Sequence, residues 1–553
     1  MGENQTAPAR KVRRLAFSPK VYWSIAGAAF LFCCIFWEFG QFGNDWLAAL
    51  SVVCFCVGVR HVFKGYESLD QRQDEQELKD LVLNPTDTDG KAKWATANDI
   101  KQAGMDKSTG LFLGSFKGQN VYYPGETHLL TIAPPGAGKG TSIVIPNLLT
   151  YSGSVIVTDP KGELFAITAR HRKNQLGNKI IVLCPWAKKL SAELGIEIPD
   201  HGFNPLSIIQ PGSDIKDEAE LISSLLLPGN ASMKADDEFW LEGGQSILTA
   251  FMLHLKSQEE TVGTLTLPLV RQYLHLPPEE LTAVLFAMSK NENFGGCIRE
   301  YGGKLLGTAE RSPKQFEGLL GTAQKALRIY DSVSPLGAHV SEGEIDFKAL
   351  KTQPTTIYLI MPSDRATTHA PWLNLVMSLA IELVGRDRSN RRVLFLLDEM
   401  ANLGYMPNIL RGMAQYRGQG VQVWSIIQQL SQLERLYGKP GSTQFVGTCE
   451  LINIFGVWDP ETIQFVSQWL GQSTVRNYSY NVSKMDNPGD FADVNYSTTD
   501  KALMMMRPED VRGMSANEQL IFYRNLAPIK AEKVHYHTHA QWKEWAAPNP
   551  YRR

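Results

Sequence analysis

The sequence predicts an α/β fold: a parallel sheet with crossover helices, interrupted by an all-α insert and preceded by a membrane anchor of two helices. Three observations predict it. Short apolar, β-branched runs recur at His128–Ala133, Ser154–Thr158, Lys179–Leu183, Thr355–Met361, Val393–Leu397, Val421–Ile427 and Leu451–Val457, with helical stretches between them. Runs of that length, bounded by turn residues, suit strands buried on both faces. Between about 214 and 341 the rhythm stops, and apolar residues recur at helical spacing. Two apolar runs, Val21–Trp37 and Trp46–Phe63, stand near the start of the chain.

The anchor comes first. Arg10, Lys11, Arg13, Arg14 and Lys20 precede the first run, Arg60 and Lys64 close the second, and the link Glu38–Asp45 has no Lys or Arg. The positive-inside rule then places both flanks, and so both termini, in the cytoplasm. Trp23, Trp37 and Trp46 lie near the ends of the runs, where aromatic belts sit. A cleaved signal peptide fits less well, because a second run follows and no clear small-residue cleavage site is present. Leu69–Asp80, charged and helix-prone, reads as a stem leaving the membrane.

At 553 residues the remainder exceeds one ordinary domain. The organisation expected is an anchor at 1–66 (helices at about 21–37 and 46–63), a stem at 67–90, a nucleotide-binding domain at 91–213 and 342–540, an all-α insert at 214–341 and a tail at 541–553. Within the insert, Phe239, Trp240, Ile247, Leu248, Phe251, Met252 and Leu255 form one stripe; Leu281, Leu285, Phe286 and Met288 form another, introduced by Pro277-Pro278-Glu279-Glu280. Asn477–Asp500 is polar and reads as a long loop. Hydrophobic content of 43% and charged content of 20% are ordinary for a folded protein. A net charge of −2 excludes a globally basic nucleic-acid binder, though not a local basic groove. The densest basic cluster, Arg170–Lys173, reads as a solvated helix face. Of seven cysteines, four lie in the apolar runs and Cys184, Cys297 and Cys449 are far apart. That supports neither a disulfide framework nor a zinc site.

The first strand of the α/β part runs into Pro134-Pro135-Gly136-Ala137-Gly138-Lys139-Gly140-Thr141 and then a helix-like segment. Strand, glycine-rich turn, lysine, helix is the context of a phosphate-binding loop. Gly136, Gly138 and Gly140 leave backbone N–H groups open to phosphate oxygens. The helix start favours the anion, and Lys139 reaches the β- and γ-phosphates. Pro135–Thr141 is therefore the candidate nucleotide-binding loop. It departs from the strict pattern: Ala133 fills the first glycine slot and Gly140 the hydroxyl slot, so either Thr141, displaced by one, or water supplies the magnesium hydroxyl.

Arg392-Val393-Leu394-Phe395-Leu396-Leu397-Asp398-Glu399 is an apolar strand ending in two acids. Asp398 is placed to hold magnesium and Glu399 to polarise the attacking water. Gln428, ending the next strand, is placed to sense the γ-phosphate or position water, and a plain turn amide is the alternative. Arg417 is the candidate arginine finger for a neighbouring subunit's γ-phosphate, with Arg411 nearby, and a plain surface arginine is the alternative. No Asn-Lys-x-Asp guanine reader occurs, which favours ATP, with Mg2+, over GTP.

Together these residues resemble the TraG-like coupling ATPases of type IV secretion and bacterial conjugation. Further matching stretches are Ile145-Pro146-Asn147-Leu148-Leu149, Thr158-Asp159-Pro160-Lys161-Gly162-Glu163, Asn204-Pro205-Leu206, Glu238-Phe239-Trp240, Leu397–Gly404, Gln428–Leu433 and Met505–Val511. A loop ending in Gly-Lys-Gly belongs to that family's own pattern. The resemblance implies a RecA-like fold, a homo-hexamer in the bacterial inner membrane, ATP at subunit interfaces, and an insert that receives cargo. That cargo would be relaxase-bound single-stranded DNA, effector proteins or both, delivered to a type IV secretion channel. Two other readings compete: a double-stranded DNA translocase of the chromosome-partitioning type, and a substrate receptor switched by nucleotide with little turnover.

Overall fold

The computed structural model describes residues 11–13, 19–40, 46, 49–65, 92–229, 233, 235–389, 391–482 and 493–551. The expected stem, 67–90, lies outside the described residues. The chain divides into two compact units, residues 1–93 with 467–507, and 94–466 with 508–553.

In the first unit a helix spans Pro19–Gly40 and a second is helical over 49–65. They meet at small residues: a Cβ on Gly58 would touch Ala26 O and Ala29 Cβ at 3.5 Å. Large apolar side chains point away from that seam, with Phe30 59%, Leu31 65% and Phe63 68% exposed. Among the described residues, however, no helix is long and apolar enough to cross a membrane, so the two-span anchor is not supported by the structure itself. Side chains at 36, 38–45 and 47–48, within or between the two runs, lie outside the described residues. The expected loop at Asn477–Asp500 is corrected. Strands β11 (Gln472–Val482) and β12 (Asp493–Met504) pair antiparallel, with β1 (Lys11–Arg13) on the far side of β12. Tyr, Thr and Val recur along this polar stretch, and β-branched and aromatic residues favour strands even without an apolar face.

The second unit holds an eleven-stranded sheet. In chain order its strands are β2 (Leu111–Phe116), β3 (Gln119–Tyr123), β4 (His128–Ile132), β5 (Ser154–Asp159), β6 (Lys179–Leu183), β7 (Thr355–Ile360), β8 (Val393–Leu397), β9 (Val421–Ile427), β10 (Cys449–Ile454), β13 (Glu518–Tyr523) and β14 (Ile529–Glu532). Their order across the sheet is β3-β2-β14-β13-β10-β4-β9-β8-β5-β7-β6. The seven strands from β10 to β6 are parallel, and they are the seven expected from the sequence. β4, β5, β7, β8 and β9 are buried at every position, as two-sided cover requires. An antiparallel flank of four strands, β13, β14, β2 and β3, extends the sheet and was not expected.

Between β6 and β7 lies a run of helices from Ile215–Leu226 to Pro335–His339. The longest is Ala235–Ser257. Its buried stripe takes in Ile247, Leu248, Phe251, Met252 and Leu255, but Phe239 and Trp240 are exposed at 47% and 37%. Helix Pro278–Met288 starts at the expected proline and buries Leu281, Leu285 and Met288, leaving Phe286 outside. Asn204 joins the insert to the sheet region: its side chain accepts from Leu206 N–H and donates to Leu265 O at 2.8 Å.

Candidate nucleotide site

The site forms at the C-terminal ends of the parallel strands, the usual position for ligands in such sheets. β4 ends at Ile132, and the next N–H, of Ala133, donates to Ile427 O at 2.9 Å. The chain then turns through Pro134–Lys139. Gly136 and Gly138 have φ of +78° and +91°, which glycine adopts without strain. The helix that follows opens with a π-helical turn, Gly140–Val144, and continues as Ile145–Thr150. Pro146 has no N–H to give the carbonyl four residues back, a local reason for the wide turn. Asn147, buried, accepts from Phe112 N–H at 2.8 Å and donates to Phe112 O at 2.8 Å, tying β2 to this helix.

β8, entirely apolar, delivers Asp398 and Glu399. Lys139 Nζ lies 3.4 Å from Asp398 Oδ1 and 3.3 Å from Glu399 Oε1. Burial holds the Asp398 pKa above the usual carboxylate value, with Lys139 opposing and Glu399 adding to the rise. Thr158 at the end of β5 donates its hydroxyl to Asp398 O at 2.8 Å. Glu399 has φ +54°, a left-handed conformation in a non-glycine residue. Such backbone costs on the order of 1–2 kcal/mol and clusters at functional sites. Asn402 holds it, donating Nδ2 to Glu399 Oε2 at 2.9 Å. Asp398 Oδ1 is buried and accepts no hydrogen bond, and two carboxylates face one ammonium. A hard divalent cation fits that donor set.

Thr141 Oγ1 donates to Gly138 O at 3.1 Å and lies 2.8 Å from His535 Nδ1. Position 140 is open: a Cβ there would meet nothing within 4 Å. Gln428 directly follows β9, the strand between β4 and β8, and its N–H donates to Gln432 Oε1 at 2.8 Å. It therefore stands beside the loop and the two acids. Arg417 does not. It is exposed in the turn before β9, at the opposite end of the sheet, where its charge acts on His128 and Glu450. Arg411 is committed to Glu382.

Asp159 ends β5 fully buried, and burial pushes its pKa up to about 7, against hydrogen bonds from Phe165, Leu164 and Lys161. The expected solvated face at Arg170–Lys173 is corrected. Arg172 is completely buried, donating to Leu148 O, Tyr151 O, Gly153 O, Asn178 Oδ1 and Thr356 Oγ1. His171 is buried and stacks on Trp545. Helix periodicity within so short a stretch did not show which basic residue turned inward. Sequence reasoning also missed Lys533, His535 and Gly456 beside the loop. Lys533 Nζ donates to Ala137 O at 2.5 Å, and burial lowers its pKa. Gly456, with φ +66°, would place a Cβ 2.9 Å from Ala137 Cβ. No motif marks these positions; only the return of the C-terminal strands brings them here.

Residues 85–550 match the family model described as Type IV secretory system Conjugative DNA transfer. The chain belongs to that family. This coupling-family chain is 26% identical over 487 residues to protein VirD4 of Rhizobium rhizogenes, covering 83% of this chain and 67% of that protein. It is 27% identical over 426 residues to the conjugal transfer protein TraG of Escherichia coli, covering 70% of this chain and 64% of that one. The chain thus spans about two-thirds of the length of these relatives. Its fold is that of plasmid coupling protein TrwB, solved with the ATP analogue ADPNP (TM-score 0.60, 15% identity, 80% of this chain, 93% of that chain). TrwB solved with ADP and Mg2+ gives a TM-score of 0.58 at 15% identity, covering 80% of this chain and 94% of that chain. The α/β fold with its large parallel sheet is thus shared with TrwB.

Proposed function

We propose that this type IV coupling-family chain is an ATPase that recruits relaxase-bound single-stranded DNA, effector proteins or both, and delivers them to a type IV secretion channel. One observation carries the reading. Lys139, from the glycine loop, stands between Asp398 and Glu399 at the end of a strand two places away, with Gln428 just past the end of the strand between. That constellation suits phosphoryl transfer to water.

The loop N–H groups of Gly136–Thr141 bind the phosphate oxygens, with Pro135 setting the turn. Lys139 neutralises them. Asp398 and Thr141 are the residues that would hold Mg2+, which supplies charge neutralisation at the phosphates. Glu399, strained and fixed by Asn402, takes a proton from water, and Gln428 orients that water. Arg417 lies too far along the sheet to serve its own loop, so its role is in trans, in a homo-hexamer whose neighbours complete each site. ATP with Mg2+ as the fuel draws support from the ligands named for TrwB. Attachment to the inner membrane by two spans, with both termini cytoplasmic, rests on the two apolar runs and their basic flanks in the sequence. The 214–341 insert is the cargo-receiving domain.

The test is transfer between cells. Lys139→Gln and Glu399→Gln chains, folded and membrane-bound, should transfer no cargo where wild type does. Normal transfer by either variant overturns the proposal.

A further inference from the structure

The segment after β14 crosses the glycine loop and is tied to it at three points. Lys533 Nζ donates to Ala137 O at 2.5 Å while standing 4.7 Å over the Phe455 ring. His535 Nδ1 lies 2.8 Å from Thr141 Oγ1, whose hydroxyl also donates to Gly138 O. The Tyr536 N–H donates to Thr141 O at 2.9 Å. Beyond the loop the segment is pinned again. Trp542 packs on Phe112 at 4.7 Å between ring centroids, Ala547 N–H donates to Ile167 O at 2.9 Å, and Tyr551 OH donates to Lys161 O at 2.8 Å. It thus spans the edge from the loop to the Asp159–Glu163 turn.

We propose that Lys533 and His535 are positioning residues of the nucleotide site: Lys533 fixes the Ala137 carbonyl, and His535 aims the Thr141 hydroxyl at the divalent cation. The inference rests on the nucleotide reading above. A carbonyl turned into the loop would repel phosphate oxygens; an ammonium holding it outward leaves the N–H groups facing in. The hydroxyl slot after Lys139 is filled by Gly140, so a hydroxyl must come from the next residue. A threonine side chain there has no reason of its own to point at a metal. Two partners, Gly138 O and His535 Nδ1, set its direction. With the hydroxyl proton given to Gly138 O, the imidazole with Nδ1–H donates to Oγ1, and the oxygen keeps one lone pair for a metal. The approach of His535 also accounts for Gly138, where a Cβ would stand 3.0 Å from His535 Cε1.

ADP binding by the full chain tests this, measured with Mg2+ and with EDTA. The readout is the ratio of Kd without Mg2+ to Kd with it, which a purely structural loss would leave unchanged. His535→Ala should lower that ratio about tenfold, the usual effect of losing an orienting partner of a metal ligand. His535→Asn, whose amide can stand where Nδ1 stands, should restore it. In a Thr141→Val background His535→Ala should add nothing. Lys533→Met should weaken ADP roughly tenfold with or without Mg2+, as loss of a charge-assisted hydrogen bond does. An undiminished ratio in His535→Ala, or unchanged binding in Lys533→Met, overturns the proposal. Failure of the nucleotide reading looks different: wild type itself binds no ADP. Amide exchange over 138–144 in the unliganded chain then decides, since exchange no faster in either variant overturns the strap.

Discussion

Glu399 and Asp159 show what single side chains contribute and what a sequence reveals of them. That Glu399 follows a buried strand and an aspartate could be read directly from the residues; its left-handed backbone could not, because nothing in a Leu-Asp-Glu-Met string announces it. Asp159 stood out in the sequence within the Thr158–Glu163 stretch. Its burial is the new information, and it has a measurable consequence. A carboxyl whose pKa is about 7 in the folded chain and near 3.8 unfolded stabilises the fold most in its neutral form. That contribution is fully present below the unfolded value and is lost as pH rises through about 7. It amounts to no more than about 4 kcal/mol. Asp159→Asn keeps the shape and removes the titration, so its Tm should fall less than wild type between pH 5 and pH 8. Parallel Tm curves would contradict the burial. Gly138→Ala should cost about 1 kcal/mol or more in denaturant unfolding, since φ is +91° and His535 stands close. Unchanged stability would place His535 elsewhere.

At the scale of elements, the seven parallel strands were legible because two-sided burial leaves unbroken apolar runs. The antiparallel flank was not. Gln119–Tyr123 mixes polar and aromatic residues, and Ile529–Glu532 is only four residues long. The polar hairpin of β11 and β12 hid for the same reason. Helix Glu163–Asn174 carries a different lesson. Its basic end looks solvated in sequence, yet Arg172 ties the helix Ile145–Thr150 and the turn before β5 to the start of β7 and to Asn178 through five neutral acceptors. Arg172→Ala leaves those acceptors buried and should destabilise by at least about 3 kcal/mol in denaturant unfolding, with no rescue by lysine, which lacks the planar fork. Trp542 is almost fully buried against Phe112. Trp542→Ala should cost about 3–5 kcal/mol, and a loss below 1 kcal/mol would show the C-terminal segment to be a loose tail.

For the whole molecule, the coupling-family identity was legible because long ordered motifs carry it. That a neighbour completes each site is a proposal resting on the family, since within one chain Arg417 stands at the opposite end of the sheet from the glycine loop. A hexamer with Arg417 in trans makes a specific prediction. Arg417→Ala should bind ATP normally and hydrolyse it about a thousandfold more slowly. Mixed with Lys139→Gln chains, it should regain part of the activity, because some interfaces then pair an intact loop with an intact arginine. No gain on mixing would place the finger elsewhere. The central claim, that Lys139, Asp398 and Glu399 form a hydrolytic site, is tested most directly by single-turnover hydrolysis of ATP bound to the purified full chain, wild type against Glu399→Gln. The account predicts phosphate release by wild type and bound, uncleaved ATP in the variant; equal phosphate release by both would contradict it.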